Sequence, residues 1–325
     1  MDMIQTLMNI VIPPVSLIIL IFILPIYLAH KFVTWVLRFL YEENVRGKVV
    51  LITGASSGIG QHLAYEYARR GACLALCARR ENLLCDVANM ARHLGSPDVI
   101  AIRADVSKVE DCKQLVDKAV HHFGRLDHLV NNAGIVLVKM FEELKDPSDS
   151  ISIIDTNFWG YVFPTYFAIP HLKKSKGKIA VNASITGWLS LPYIGSYCAS
   201  KAALFGFYET LRIEVGKDIG ITILSPGLID TGITSEERIT TFQAHFIPRQ
   251  SSERSARTIV NSICRGDRYL TEPSWYKVTY AAKVLCPEVV EWITRTLFVT
   301  RPKALLQKAR SKTCQYPTLP QLKSE

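Results

Sequence analysis

The sequence predicts a doubly wound α/β fold, a parallel sheet with helices on both faces, carried in one domain behind an apolar N-terminal segment. Short apolar runs alternate with helix-like stretches from Lys48 to Gly227. The runs are continuously apolar, as in strands buried on both faces. A glycine-rich turn, TGASSGIG at Thr53 to Gly60, lies between the first run and a helical pattern, where such a fold turns its backbone N–H groups toward a ligand.

Six runs are read as strands: KVVLIT, CLALCA, VIAIRAD, LDHLVNNAG, KIAVNAS and GITILSPG. Helical patterns separate them, among them QHLAYEYARRG and the stretch that holds YCASK. The ligand crevice of such a sheet lies at the carboxyl ends of the strands. Residues 231–255 are polar and turn-rich, hence loop or short helix near the site. Residues 273–300 regain aromatic and aliphatic side chains, either a membrane-facing or dimer surface or plain packing on the core. With 325 residues and 49% hydrophobic content the chain can bury one large core. The expected division is a membrane anchor and amphipathic connector over 1–46, one folded domain over 47–275, and an apolar segment with a basic tail over 276–325.

From Met3 to Ala29 no residue is charged. As a straight helix, at about 1.5 Å rise per residue, that run would reach roughly 40 Å, more than a hydrocarbon core. Pro13, Pro14 and Pro25 interrupt it, so a kinked span and a bent segment dipping into one leaflet both fit. A cleaved signal peptide fits less well, since the apolar stretch is long and Asp2 is the one side-chain charge before it. Phe32, Trp35, Phe39 and Tyr41 form an aromatic connector suited to a water–lipid interface. The Lys, Arg and His residues beyond the segment predict, by the positive-inside rule, that the remaining chain is cytosolic.

The net charge of +9 comes from dispersed residues, with no basic run interleaved with aromatics, which argues against nucleic acid as a partner. Basic residues gather instead beside the apolar segment and in the tail from Arg301 to Lys312, a pattern that fits anionic lipid head groups. The eight cysteines have no CxxC pair and no His/Cys cluster at zinc-ligand spacing. They are read as reduced thiols, with no structural metal.

In TGASSGIG the glycines are Gly54, Gly58 and Gly60, placed where a backbone turns sharply and approaches a pyrophosphate at a helix N-terminus. The second run ends Ala78-Arg79-Arg80 with no carboxylate. An acidic residue there would grip ribose hydroxyls, whereas Arg79 suits a 2′-phosphate, so NADP(H) is favoured over NAD(H). Tyr197 and Lys201, four apart on a helix, share a face.

Together, TGASSGIG, the NNAG of Asn131 to Gly134, Asn157 in DTNFWG, Ser184 in VNASITG, and YCASK resemble the short-chain dehydrogenase/reductase family, a Rossmann-type fold, over about residues 47–275. Segments such as NVRGKVVLITGASSGIG and TEPSWYKVTY are similar to its plant steroleosin, 11β-hydroxysteroid dehydrogenase-like branch, whose members carry an apolar N-terminal segment with a proline knob. The interval of thirteen residues between Ser184 and Tyr197 is that of hydroxysteroid dehydrogenases.

The resemblance implies a residue-by-residue assignment. Tyr197 would be the acid or base, with Lys201 and the oxidised nicotinamide favouring its tyrosinate. Lys201 would also hold the nicotinamide ribose, Ser184 would bind the substrate oxygen, and Asn157 would hold a water linking Lys201 to solvent. Ser56, Ser57 and Ile59 of the turn, Asp105 and Val106 after the third strand, Asn131 and Ala133, and Pro226, Gly227 and Thr231 would complete the cofactor site.

The implied activity is an NADP-dependent interconversion of hydroxyl and keto groups on a steroid or similar lipid, at a lipid droplet or endoplasmic reticulum membrane. A homodimer is implied as well. Another lipid carbonyl reductase, or a lipid-droplet coat protein with a vestigial enzyme domain, are the alternatives.

Overall fold

The computed structural model describes residues 2–40, 42–242 and 246–300. The chain divides between Asn44 and Val45 into two units. The N-terminal unit is one helix, α1 (Asp2–Leu40), continuous through Pro13, Pro14 and Pro25. Each proline removes one helical donor, yet the surrounding ladder persists and Ser16 Oγ donates to the Pro13 carbonyl at 2.9 Å. Its 33-residue stretch Asp2–Thr34 is long enough and on average apolar enough to cross a membrane, with none of the most apolar window buried. The connector aromatics Trp35, Phe39 and Tyr41, and the basic tail from Arg301, lie outside the residues and side chains described.

The second unit is built on strands β1 (Val49–Thr53), β2 (Cys73–Ala78), β3 (Val99–Arg103), β4 (His128–Asn131), β5 (Lys178–Asn182) and β6 (Gly220–Pro226), which are the six predicted runs. Two short strands follow, β7 (Ile229–Asp230) and β8 (Gln250–Ser251), paired with each other. A further strand, β9 (Tyr269–Glu272), joins β6 as a seventh strand that the apolar pattern did not reveal. The sheet order is β3-β2-β1-β4-β5-β6-β9, all parallel. Order reverses between β1 and β4, which leaves a crevice at their carboxyl ends.

Helices α2 (Gly58–Arg69), α3 (Glu81–His93) and α4 (Val109–Phe123) follow the first three strands. A short helix α5 (Ile151–Ile154) runs through a π-helical turn, Asp155–Trp159, into α6 (Gly160–Ser175). Then come α7 (Gly195–Glu214), α8 (Glu236–Phe242), α9 (Ser252–Arg265), α10 (Lys277–Leu285) and α11 (Pro287–Arg295).

Within β1 the side chains alternate between two cores. Val49 and Leu51 pack with Leu115 of α4, Tyr161 of α6 and Tyr208 of α7. Val50 and Ile52 pack with Leu63 and Tyr67 of α2, Leu84 of α3 and Val260 of α9. Both faces are therefore covered, the physical reason the strands read as unbroken apolar runs. Within residues 273–300, Tyr276 and Phe298 are buried, whereas α10 and α11 have no buried residue and present Val278, Leu285 and Trp292 to the surface.

Candidate active site

The glycine-rich turn leaves β1 at Thr53 and enters α2 at Gly58. Gly54 has φ +66°, and a Cβ there would lie 2.6 Å from Ala133 Cα, so glycine is required both by conformation and by the approach of the β4 end. Three donors stitch the two segments together. Asn132 N and Ala133 N donate to Thr53 Oγ1 at 3.0 and 3.2 Å, and Asn132 Nδ2 donates to the Thr53 carbonyl at 3.0 Å.

Above this junction lies a groove of about 430 Å³. Ten of the cofactor positions expected from sequence line it. Gly54, Ser56, Ser57, Gly58 and Ile59 form the floor, Arg79 stands at the β2 end, Asp105 and Val106 at the β3 end, Ala133 after β4, and Thr231 across from Gly58. Gly60 is buried beneath the turn. Asn131 lies deeper, donating to Thr165 Oγ1 at 2.8 Å and to Tyr208 Oη at 3.1 Å. Pro226 ends β6, and Gly227 follows it against the ring of Tyr276.

Among the groove residues that the sequence does not point to, two matter most. Arg80 donates to Ser56 Oγ at 3.1 Å and Ser57 Oγ at 2.7 Å, so it closes the groove over the turn; the Arg79-Arg80 doublet was visible, but not which arginine folds back. Asn182 lines the groove, donates to Asn132 Oδ1 at 2.8 Å, and its own Oδ1 is buried without a partner among the described residues. The close glycine floor, the two arginines and the spare acceptor fit a nicotinamide dinucleotide.

The four residues singled out for chemistry do not line the groove themselves, but two of them, Asn157 and Lys201, stand behind its Gly134 wall. A Cβ at Gly134 would lie 3.5 Å from Asn157 Oδ1 and 3.9 Å from Lys201 Nζ. Asn157, in the π-helical turn, accepts from Ile135 N at 2.9 Å and donates to the Ile135 carbonyl at 2.9 Å and to Ser200 Oγ at 3.2 Å. A π-turn re-aims one side chain within a helix, and here it pins the wall after β4 to α7. Ser184 follows β5, caps the next turn by accepting from Thr186 N at 3.1 Å, turns its hydroxyl to the Pro226 carbonyl at 3.5 Å, and lies close enough to Tyr197 to ease ionisation of its phenol.

The electrostatics differ from the simple sequence expectation. Burial pushes the Tyr197 hydroxyl up to about 12, against the opposing effect of the nearby Ser184 hydroxyl. Lys201 does not bond Tyr197. Its Nζ stands 5.6 Å from the Tyr197 ring centre and donates to Tyr161 Oη at 3.1 Å and the Asn182 carbonyl at 2.9 Å. Burial alone lowers Lys201 to about 7. Desolvation disfavours both charged forms, so within the protein's own residues it outweighs the attraction expected between ammonium and tyrosinate.

The arrangement offers a neutral tyrosine hydroxyl beside a serine, with a buried amine that stands next to Gly134 of the groove wall. That is the equipment for proton transfer to or from an oxygen held between Ser184 and Tyr197. Among the described residues no histidine hydrogen-bonds Ser184, whose partners are Thr186 and Pro226, and no cluster of His, Cys, Asp and Glu could hold a metal.

Comparison with known proteins agrees with this geometry. The family model described as short chain dehydrogenase matches residues 48–241. The chain is 52% identical to 11-beta-hydroxysteroid dehydrogenase A of Arachis hypogaea, over 96% of this chain and 93% of that protein. It is 50% identical to the Sesamum indicum protein of the same name, over 93% and 90%, and 49% identical to 11-beta-hydroxysteroid dehydrogenase-like 2 of Arabidopsis thaliana, over 95% and 100%. Among solved structures, an alcohol dehydrogenase from the archaeon Thermococcus sibiricus, complexed with 5-hydroxy-NADP, superposes with a TM-score of 0.62 at 28% identity, covering 70% of this chain and 95% of that one.

Proposed function

Because the chain belongs to the short-chain dehydrogenase/reductase family, we propose that it is a membrane- or lipid-droplet-anchored oxidoreductase interconverting hydroxyl and keto groups on a steroid or similar lipid with NADP(H). The observation that carries the chemistry is that the Ser184 hydroxyl and the Lys201 ammonium both stand by Tyr197, with Lys201 next to Gly134 of the groove wall. Steroid as the substrate class rests on the names of the plant relatives. NADP(H) rests on Arg79 and Arg80 and the missing carboxylate, and anchoring on α1.

The nicotinamide, when bound, supplies or accepts the hydride. Tyr197 Oη gives its proton to the carbonyl oxygen during reduction, or takes the alcohol proton during oxidation. A hydroxyl held at about 12 is protonated at neutral pH, so the acid role needs no preparation, whereas the base role needs added positive charge nearby. Ser184 Oγ positions the substrate oxygen against Tyr197. Asn157 fixes the Gly134–Ile135 wall, and the lone pair that its three bonds leave on Oδ1 is where a water serving Lys201 would be held.

Purified full-length protein should oxidise a hydroxysteroid faster with NADP⁺ than with NAD⁺. Tyr197→Phe should lower turnover by about a hundredfold or more while cofactor binding, read by NADPH fluorescence, persists. Equal turnover in the Phe variant overturns the mechanism. A wild-type chain inert toward steroid, acyl and prenyl substrates alike would favour the coat reading motivated by α1.

A further inference from the structure

Tyr161 lies on α6, four residues beyond Asn157, and its side chain is fully buried. Its hydroxyl donates to the Asn182 carbonyl at 3.0 Å, which turns an oxygen lone pair toward Lys201 Nζ, 3.1 Å away. The same ammonium stands 4.8 Å over the Tyr161 ring centre. Lys201 is 3% exposed and no carboxylate bonds it among the described residues. The titratable groups that face it are Tyr161 and Tyr197, the first from α6 and the second from its own helix.

A buried ammonium without a counter-ion needs acceptors and polarisable faces. We propose that Tyr161 is a positioning residue for the reaction, holding the Lys201 ammonium protonated and fixed behind Tyr197 through its hydroxyl and its ring. The inference rests on the role assigned above to Lys201. Tyr161 suits the task because burial, and then the neighbouring Tyr197, hold its hydroxyl well above the usual phenol range. It therefore stays a neutral acceptor at neutral pH.

Its own placement is fixed from behind. Tyr208 Oη donates to the Tyr161 carbonyl at 2.9 Å and lies 2.8 Å from Thr165 Oγ1, and Asn131 Nδ2 donates to both hydroxyls. Asn131, at the end of β4, thus joins the network that backs the Tyr161 main chain, not its hydroxyl. Burial already brings Lys201 to about 7, so the loss of one acceptor decides whether it is charged at neutral pH.

The test is a titration of the full chain in detergent, labelled with ε-¹³C-lysine, with the Lys201 resonance assigned by its loss in Lys201→Arg. Losing a hydrogen bond to a charged group should lower the Lys201 midpoint by about one pH unit in Tyr161→Phe. Tyr161→Met, which also loses the ring, should lower it further. Tyr208→Phe, which touches Tyr161 at the main-chain carbonyl, should leave it unchanged. An unchanged midpoint in both Tyr161 variants, or an equal shift in Tyr208→Phe, overturns the proposal. In the oxidation assay, Tyr161→Phe should lower kcat about tenfold, move its rise with pH to higher pH, and leave KM within about twofold. A wild-type chain that oxidises no hydroxysteroid would refute the enzyme reading while the titration still judges Tyr161.

Discussion

Gly227, the residue after β6, lies under the ring of Tyr276: a Cβ at Gly227 would sit 2.6 Å from Tyr276 Cδ2 and closer still to Cε2. The chain leaving β6 and the segment that leads into α10 are thus interlocked without a spare methyl's width. The same segment grips the loop between Ser184 and Tyr197, where Trp188 and Tyr280 rings meet edge to face at 5.6 Å and Lys283 Nζ donates to the Trp188 carbonyl. Gly227→Ala should destabilise the fold by about 1–3 kcal/mol and raise KM for the steroid, read by thermal melts and initial rates. An unchanged melt and KM would mean that Tyr276 moves aside freely.

Arg80 gives a cofactor prediction. Removing a charge-assisted donor costs about 1.5–3 kcal/mol, roughly ten- to a hundredfold. Arg80→Ala should lower kcat/KM for NADP⁺ by that factor and leave NAD⁺ nearly unchanged. Equal losses with both cofactors would reduce Arg80 to a brace for Ser56 and Ser57. Arg79→Ala, in the same groove, ranks the two arginines.

Lys201 couples activity to stability. Its folded value, lowered to about 7 from 10.5 by burial, means that between those values the unfolded chain binds more protons than the folded one. Stability from this group therefore rises with pH across that window and is lost as pH falls toward 7. Lys201→Met should abolish turnover yet melt higher than wild type, with the advantage largest at pH 6–7 and shrinking toward pH 10. A melting difference independent of pH would contradict the burial of the amine.

Val45 is 1% exposed, and Gly47 N bonds the Gly71 carbonyl at 2.8 Å, so the folded unit begins before the expected boundary at 47. A chain lacking residues 2–44 should keep its melting temperature but fail to float with phosphatidylcholine–phosphatidylserine vesicles. Undiminished flotation would place the lipid contact elsewhere, with the exposed Trp292 and Leu285 of α10 and α11 as the next variants.

What the sequence disclosed depended on periodicity and on glycine. The first six strands were readable because both faces are covered, and the turn was readable because Gly54 and Gly58 have φ of +66° and +59°. β9 escaped because YLTE carries Tyr269, half exposed, at the sheet edge, where burial no longer forces apolarity. Spacing also placed Tyr197 and Lys201 on one face, but it could not show that the lysine's bonds go to Tyr161 and Asn182. Those partners come from α6 and β5, remote in sequence.

The unbroken run of α1 through its prolines carries a cost at specific atoms. Pro13, Pro14 and Pro25 cannot donate to the carbonyls four residues earlier, those of Asn9, Ile10 and Ile21. Along a helix these bare oxygens form two notches roughly 18 Å apart. In hydrocarbon such an oxygen must find a donor, from water, a lipid head group or another helix. The segment is therefore a poor plain greasy rod and a good ladder of two acceptor rungs, which favours settings where donors can reach both depths.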